Sequence, residues 1–300
     1  MNASISMTLN ECRTIFDVEY SLDGAGVELY FDGQKNDKFE NRFKKILESI
    51  KDIYPLSEKL HLKINSRNTF PHSAGIASSA SAMSALAMSL LKIEESQDLQ
   101  RASLMARLAS GSASRSVYPN YSVWGMHTLI ENSTNEYAIE FSDFHHDFSQ
   151  MCDSIIIVDE NEKSVSSSAG HSLMNSHPYR EGRIDQANEN FRVLVNAMKR
   201  GEFADFGNIL ENEALSLHAL MMSSDPSYLL LRPKSIQVIE ELRINRGELP
   251  IYFTIDAGPN IHVIYPKSVE AKAKEIISSI ITELSLTVIH DEIGQGPNFV

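Results

Sequence analysis

The segment with the most specific pattern is Asn68-Thr69-Phe70-Pro71-His72-Ser73-Ala74-Gly75-Ile76-Ala77-Ser78-Ser79-Ala80. A loop containing proline, glycine and serine leads directly into a helix of small residues. The N–H groups in the first turn of a helix have no partner within the helix, and the helix dipole favours negative charge there. The segment therefore predicts a phosphate-binding loop, in which Ser78 and Ser79 add hydroxyl donors and Ala77 lets the backbone approach a phosphate closely.

An ordinary core helix capped by serine would have the same composition, so that alternative stays open. The segment is not a Walker A loop, because it contains no Gly-Lys-Ser or Gly-Lys-Thr sequence.

Two further segments contain residues suited to an anionic substrate. Ser110-Gly111-Ser112-Ala113-Ser114-Arg115 is a turn of small residues ending in arginine, whose guanidinium offers paired donors to phosphate or carboxylate. Asp256 follows an apolar strand and precedes a Gly-Pro turn, so its carboxylate can be held rigidly. Each has a structural alternative: a helix cap followed by a surface arginine, and an aspartate that caps its own turn.

Length and composition indicate a globular protein of about two domains. The chain has 300 residues, of which 42% are hydrophobic and 22% charged. Its two cysteines make a disulfide framework improbable and favour a reducing, cytoplasmic setting. The formal charge of −13 disfavours nucleic acid as a partner but leaves room for a small anionic substrate in a locally basic pocket.

The sequence shows neither a membrane-spanning segment nor a clear metal site. We expect no signal peptide, since no basic stretch followed by an apolar run occurs at Met1–Ser6. The most apolar window, Ile76 to Leu91, is interrupted by serines and is too short to span a bilayer. The ten histidines show no metal-ligand spacing, and the adjacent pair His145-His146 is expected to be solvated.

Hydrophobic periodicity predicts an α+β protein with a boundary near residue 150, hence domains 1–150 and 151–300. Residues 65–75 are expected to be irregular, and Gly201 is expected to end a helix. The predicted strands are 12–20, 27–31, 61–64, 121–124, 137–141, 154–158, 251–255, 261–265 and 286–289. The predicted helices are 39–53, 77–93, 99–108, 187–198, 203–221, 235–243 and 269–284.

In their order along the chain, these motifs resemble those of the diphosphomevalonate decarboxylase family within the GHMP kinase superfamily. Asn68 to Ala80 is similar to the family's Asn-Asn-Phe-Pro-x-x-Ala-Gly-Leu-Ala-Ser-Ser-Ala, and Ala109 to Ser116 to its Gly-Ser-Gly-Ser-Ala-Cys-Arg-Ser. Asp256 to Asn260 matches its Asp-Ala-Gly-Pro/Ala-Asn. Val165 to His171 and Asn2 to Leu9 resemble two further family elements, so the resemblance spans nearly the whole chain.

The resemblance implies a GHMP kinase fold, with an N-terminal half like the second domain of ribosomal protein S5 and a ferredoxin-like C-terminal half. It implies an ATP- and Mg²⁺-dependent decarboxylase that converts mevalonate 5-diphosphate to isopentenyl diphosphate, and a homodimer. Asp256 and Arg115 would be the catalytic residues. Residues implied to bind the ATP phosphates are Asn68, Gly75, Ala77, Ser78 and Ser79, with Ser79 also near Mg²⁺. Those implied to bind substrate are Ser110, Gly111, Ser112, Ser167 and Ser168.

The sequence departs from the family at its start. Family members normally begin with a strand like Pro-Ser-Asn-Ile-Ala-x-x-Lys-Tyr-Trp-Gly-Lys, which supplies a lysine and a tyrosine to the substrate site, and no such strand precedes Asn2 here. We expect an edge of the N-terminal sheet to be affected. The alternative functions are a phosphomevalonate decarboxylase or GHMP small-molecule kinase, and a catalytically inactive truncated homologue.

Overall fold

The computed structural model describes residues 2–71, 78–159 and 174–299, with the side chains of Ser78 and Asn175 left out of the description. These residues form two compact units, each considered separately below. One unit is built mainly from Ile5–Phe70 and the helices and strands that follow up to Glu140, and the other mainly from Phe141–Ile293.

The N-terminal unit contains two sheets and three described helices. Its elements are β1 (Ser4–Met7), β2 (Thr14–Ser21), β3 (Gly26–Phe31), β4 (Gln34–Lys35), α1 (Asp37–Ser49), β5 (His61–Asn68), α2 (Ser78–Ile93), α3 (Leu99–Ala109), β6 (Tyr121–Trp124) and β7 (Ile139–Glu140). The larger sheet has the strand order β2-β5-β3-β4, and the smaller has the order β1-β6-β7.

Strand β5 continues further than its sequence pattern predicts. Residues 65–68 were expected to be irregular, but they pair with β2 as far as the register Asn68↔Thr14. The prediction was wrong because Ser66 occupies a buried position that alternation would assign to an apolar residue. Strand β2 pairs with this stretch along its whole length, and β3 pairs with Asn65 and Ser66, so the stretch takes part in the sheet. The strand therefore carries the chain to the start of the predicted phosphate loop.

The second unit contains one antiparallel sheet and four described helices. Its elements are β8 (Met151–Ile157), α4 (Arg180–Arg200), α5 (Phe203–Ser223), α6 (Pro233–Asn245), β9 (Tyr252–Thr254), β10 (Ile261–Pro266), α7 (Glu270–Leu284) and β11 (Thr287–Glu292). The strand order is β11-β8-β10-β9. Strand β8 is buried along its whole length.

Two glycines position the helices of this unit. Gly201 ends α4 in the left-handed region at φ +79°, and its N–H donates to the carbonyl of Ala197, which confirms the predicted helix stop. Gly207 lies in α5, where an added Cβ would come within 2.1 Å of the ring of Tyr252. Because Gly207 lacks a side chain, α5 packs directly against β9. This close packing brings the later turns of α5 to the loop that follows β9.

After β11 the chain returns to the N-terminal unit. The N–H of Gly294 donates to the carbonyl of Thr8 (2.8 Å), and the N–H of Asn120 donates to the carbonyl of Gly294 (2.9 Å). The division into 1–150 and 151–300 stays a prediction, and the residues from 294 onward belong to the same compact unit as β1 to β7. Among the described residues, we find no helix with the length and apolar character needed to cross a membrane.

Candidate active site

Asp256 lies two residues beyond the end of β9, and it is exposed. Two buried polar side chains hydrogen-bond to the backbone of this loop, one at Asp256 and one at Pro259. His218 of α5, which is 2% exposed, donates through Nε2 to the backbone carbonyl of Asp256 (3.1 Å). Ser235 of α6 donates through Oγ to the carbonyl of Pro259 (2.7 Å). The loop is therefore fixed by two helices while the Asp256 carboxylate faces solvent.

The side chain of Asn260, at the end of this loop, hydrogen-bonds to the chain that follows β8. This side chain is buried at 4% exposure, and Oδ1 accepts hydrogen bonds from the N–H groups of Val158 (2.8 Å) and Asp159 (3.1 Å). These donors lie just past the end of β8. Asn260 thus joins the loop to the buried strand β8. This contact explains why the Asp-Ala-Gly-Pro-Asn motif ends in asparagine.

A buried ion pair lies in the same sheet. Nδ1 of His262 on β10 is 2.7 Å from Oδ2 of Asp153 on β8, and Asp153 is 3% exposed. Burial alone would lower the pKa of His262, but the carboxylates of Asp153, Asp256 and Asp291 outweigh it and raise this pKa above its ordinary value. We infer that His262 is more readily protonated than a free imidazole. Sequence analysis missed this pair, since its members are far apart in the chain.

Arg115 ends a short 3-10 turn, Gly111–Arg115, that follows α3. Its Nε donates to Oγ of Ser6 on β1, and its guanidinium carbon lies 5.9 Å from the centroid of the Trp124 ring. Its backbone carbonyl accepts from Oγ of Ser122 (3.0 Å). Arg115 is therefore held by both neighbouring strands and is not the freely exposed arginine of the structural alternative.

The small residues before Arg115 have distinct surroundings. Ser110 follows the last residue of α3, and its N–H donates to the carbonyl of Ala106, as expected for a helix end. Ser112 is exposed. Gly111 faces Trp124, because an added Cβ would come within 2.8 Å of the indole ring. Whether Ser110, Gly111 and Ser112 contact a substrate stays a prediction.

The described part of the phosphate segment fits an anion. Helix α2 begins at Ser78, carries no acidic residue in its first turn, and has Ser79 partly buried next to its start. Asn68 ends β5, and its Oδ1 accepts from Oγ1 of Thr14 (2.9 Å). Gly75, Ala77, Ser167 and Ser168 lie outside the described residues, as does the side chain of Ser78, so their predicted contacts are untested.

Within the described ranges, His145, His146 and Asp147 are the only group of three metal-ligating side chains with ligand atoms within 4.8 Å of one another. The side chain of His146 is 83% exposed and that of Asp147 is 45% exposed. Such exposed groups are common without an ion. The Ser79 hydroxyl near the start of α2 is a hard oxygen donor of the kind that Mg²⁺ prefers, and its contact with such an ion stays a prediction.

Two α+β units, a helix that follows a serine- and alanine-rich segment and an aspartate held beyond β9 agree with the GHMP kinase-type fold that the motifs imply. Family models match both parts of the chain: the diphosphomevalonate decarboxylase-like N-terminal domain over residues 1–135, and the mevalonate 5-diphosphate decarboxylase C-terminal domain over residues 154–296. The chain belongs to the diphosphomevalonate decarboxylase family, which confirms the resemblance.

Individual relatives agree with this assignment. The diphosphomevalonate decarboxylase of Debaryomyces hansenii is 30% identical over 302 residues, covering 95% of this chain and 77% of that protein. The crystal structure of mevalonate diphosphate decarboxylase from Staphylococcus aureus is 26% identical with a TM-score of 0.85, covering 99% of this chain and 88% of that one. A structure described as MDDEF in complex with MVAPP, AMPPCP and magnesium is 25% identical with a TM-score of 0.85, covering 98% and 89%. The expected α+β GHMP kinase fold is confirmed.

Proposed function

We propose that this chain uses ATP to decarboxylate mevalonate 5-diphosphate, producing isopentenyl diphosphate, carbon dioxide, phosphate and ADP. The observation that carries the proposal is the exposed Asp256 carboxylate on a loop held by buried His218, Ser235 and Asn260. Phosphoryl transfer depends on positioning and on charge neutralisation more than on covalent help from the protein, so a rigidly placed carboxylate is the group that the reaction needs.

Asp256 orients the tertiary 3-hydroxyl of the substrate and accepts its proton as the oxygen attacks the terminal phosphorus of ATP. When the new 3-phosphate leaves with its bonding electrons, positive charge develops at C3. Asp256 is exposed and passes the accepted proton to solvent before this step, so the restored carboxylate stabilises that charge electrostatically. The electron pair of the breaking bond to the carboxylate carbon then forms the double bond of the product, and carbon dioxide is released.

Arg115 pairs with the carboxylate or a phosphate of the substrate. Its guanidinium is oriented by Ser6 and Trp124, and a fixed orientation is what paired N–H donation to an anion requires. Ser110, Gly111 and Ser112 in the same turn, together with Ser167 and Ser168, are proposed to supply further hydrogen bonds to the substrate.

The ATP phosphates bind at the start of α2, where Asn68, Gly75, Ala77, Ser78 and Ser79 form the proposed phosphate segment. The absence of an acidic residue in the first turn of α2 supports this placement, because a carboxylate there would repel the phosphates. Mg²⁺, when bound with ATP, neutralises charge on the phosphate oxygens.

The test is to incubate the purified chain with Mg-ATP and mevalonate 5-diphosphate and to analyse the products by mass spectrometry. We expect isopentenyl diphosphate together with one ADP and one phosphate per turnover. Accumulation of a phosphorylated, carboxylate-retaining product would instead indicate a small-molecule kinase. Turnover of mevalonate 5-phosphate in preference to the diphosphate would indicate a phosphomevalonate decarboxylase, and neither activity would indicate an inactive homologue.

We also propose that the chain acts in the cytoplasm as a homodimer, with a phosphate-binding domain over 1–150 and a decarboxylase-type domain over 151–300. The low cysteine content supports a reducing compartment, and the family resemblance is the support for the dimer. Light scattering coupled to size-exclusion chromatography measures the mass in solution, for which a dimer predicts about twice the chain mass of 33.6 kDa.

A further inference from the structure

Trp124 is the only tryptophan in the 300-residue sequence, and its indole ring lies close to both Gly111 and Arg115. The ring is fixed at both ends. Its Nε1–H donates to the backbone carbonyl of Asn135 (3.0 Å), and its six-membered ring occupies the space where a side chain on residue 111 would begin, 2.8 Å from an added Cβ. The indole is thus held by the Asn135 carbonyl at one end and packs against the backbone of Gly111 at the other.

Strand β6 holds Arg115 through two residues that lie on the same side of the strand. Side chains two positions apart in a strand point to the same face, so Ser122 and Trp124 both face the turn that ends in Arg115. Ser122 binds the backbone carbonyl of Arg115 (3.0 Å), while the ring of Trp124 lies 5.9 Å from the guanidinium carbon. This distance is within the range of a cation–π interaction.

Ser6 on the neighbouring strand β1 fixes the guanidinium in a second direction, because it accepts from Nε. A guanidinium held through Nε and against an aromatic ring has a defined plane and a defined direction for its remaining N–H groups. Paired donation to a carboxylate or phosphate depends on both. The geometry therefore links the indole to the binding of an anionic group.

We propose that Trp124 is a positioning residue that orients Arg115 for an anionic group of the substrate, and that its fluorescence reports the binding of that group. The inference rests on the function proposed for Arg115 above and deepens it. The proposal also gives Gly111 a structural role: it leaves room for the indole, which a side chain at this position would displace.

The test compares Trp124→Leu and Trp124→Phe with the wild-type chain in steady-state assays. Trp124→Leu removes the ring, and we expect the KM for mevalonate 5-diphosphate to rise about 5- to 10-fold while the KM for ATP changes by less than about 2-fold. Trp124→Phe retains an aromatic face and should recover part of the loss. Equal increases in both KM values, or none, would overturn the positioning role.

Phe299→Leu is a matched control, because it removes a different cation–π contact in the same unit, that of Lys92 at 5.1 Å from the Phe299 ring. We expect unchanged KM values for this variant. If it raised the KM for mevalonate 5-diphosphate as much as Trp124→Leu does, the effect could not be attributed to the contact with Arg115, and the proposal would be rejected.

A second measurement does not depend on the folding of Trp124 variants. Titration of the wild-type chain with mevalonate 5-diphosphate should change the emission of Trp124 saturably, and Arg115→Lys should alter the emission of the unliganded chain and abolish the response. A chain that makes isopentenyl diphosphate without any change in emission would overturn the inference and leave the proposed function intact. A saturable response without product would support the inference and contradict the proposed function.

Discussion

Nε2 of His218 lies 3.1 Å from the backbone carbonyl oxygen of Asp256, although 38 positions separate the two residues in the chain. The histidine is buried on α5, and the aspartate it supports exposes its carboxylate. A buried donor on a packed helix therefore fixes the backbone beneath an exposed reactive group. This arrangement makes the position of Asp256 depend on a buried side chain of α5.

Asp256→Asn should remove most of the turnover while leaving ATP binding nearly unchanged. The amide is close in size to the carboxylate, but it cannot accept the hydroxyl proton or stabilise positive charge at C3. We expect kcat to fall by roughly 10³-fold, in the range typical of lost proton-transfer and electrostatic groups. Product formation and equilibrium nucleotide binding measure the two effects, and near-normal turnover would contradict the catalytic role.

His218→Leu should lower kcat through displacement of Asp256. Loss of one hydrogen bond costs about 1 kcal/mol of stability, whereas a shift of a catalytic group can reduce the rate by up to about 10²-fold. We expect about a tenfold loss of kcat with nucleotide affinity retained, and partial recovery in His218→Gln, which keeps a donor. Steady-state assays and thermal unfolding separate the two contributions.

His177→Leu is the matched control for this substitution. His177 is also buried, and its Nε2 lies 3.1 Å from a helix carbonyl, that of Leu220. It should lose comparable stability without the loss of kcat. If both variants lowered kcat equally, a specific positioning role for His218 would have to be abandoned.

The His262–Asp153 pair should make stability depend on pH. Because the pKa of His262 is raised in the folded chain, the folded state binds the proton more tightly than the unfolded state does. The resulting stabilisation is fully present below the ordinary pKa of 6.5 and is lost as the pH rises through the raised value. The free energy of unfolding should therefore decrease across that interval.

His262→Gln tests the assignment, since glutamine cannot become charged at this position. Urea unfolding of both chains over a series of pH values should show that the wild-type decrease is absent from the variant. Parallel pH profiles for the two chains would show that another group is responsible.

Gly207→Ala should destabilise the second unit. Its Cβ would lie 2.1 Å from Cδ1 of Tyr252, so α5 would have to move away from β9. Overpacking of this kind costs about 1–3 kcal/mol. In Gly182→Ala, also within a helix of this unit, the added Cβ meets no atom within 4 Å, and we expect a gain of roughly 0.5–1 kcal/mol from the better helix propensity. Urea denaturation compares the variants, and equal effects of both would refute the packing argument.

Much of the local structure could be predicted from the order of residues alone. The predicted strand at 121–124 coincides with β6, and the stop at Gly201 coincides with the end of α4. These features depend on neighbours within a few positions, where side-chain periodicity and backbone preference act directly. The prediction failed at 65–68 because pairing with β2 and β3 overrode a locally polar pattern.

The sequence by itself determined the α+β class, the succession of helices and strands and the ordered motifs that identify the family. Only the tertiary structure decided what holds the candidate site residues: His218 beneath Asp256, and Ser6 and Trp124 around Arg115. Ser6 and Arg115 are 109 positions apart in the sequence. A contact between residues so far apart produces no periodic pattern of residues from which it could be predicted. They arise when packing brings whole elements together, and the orientation of each reactive group follows from that packing.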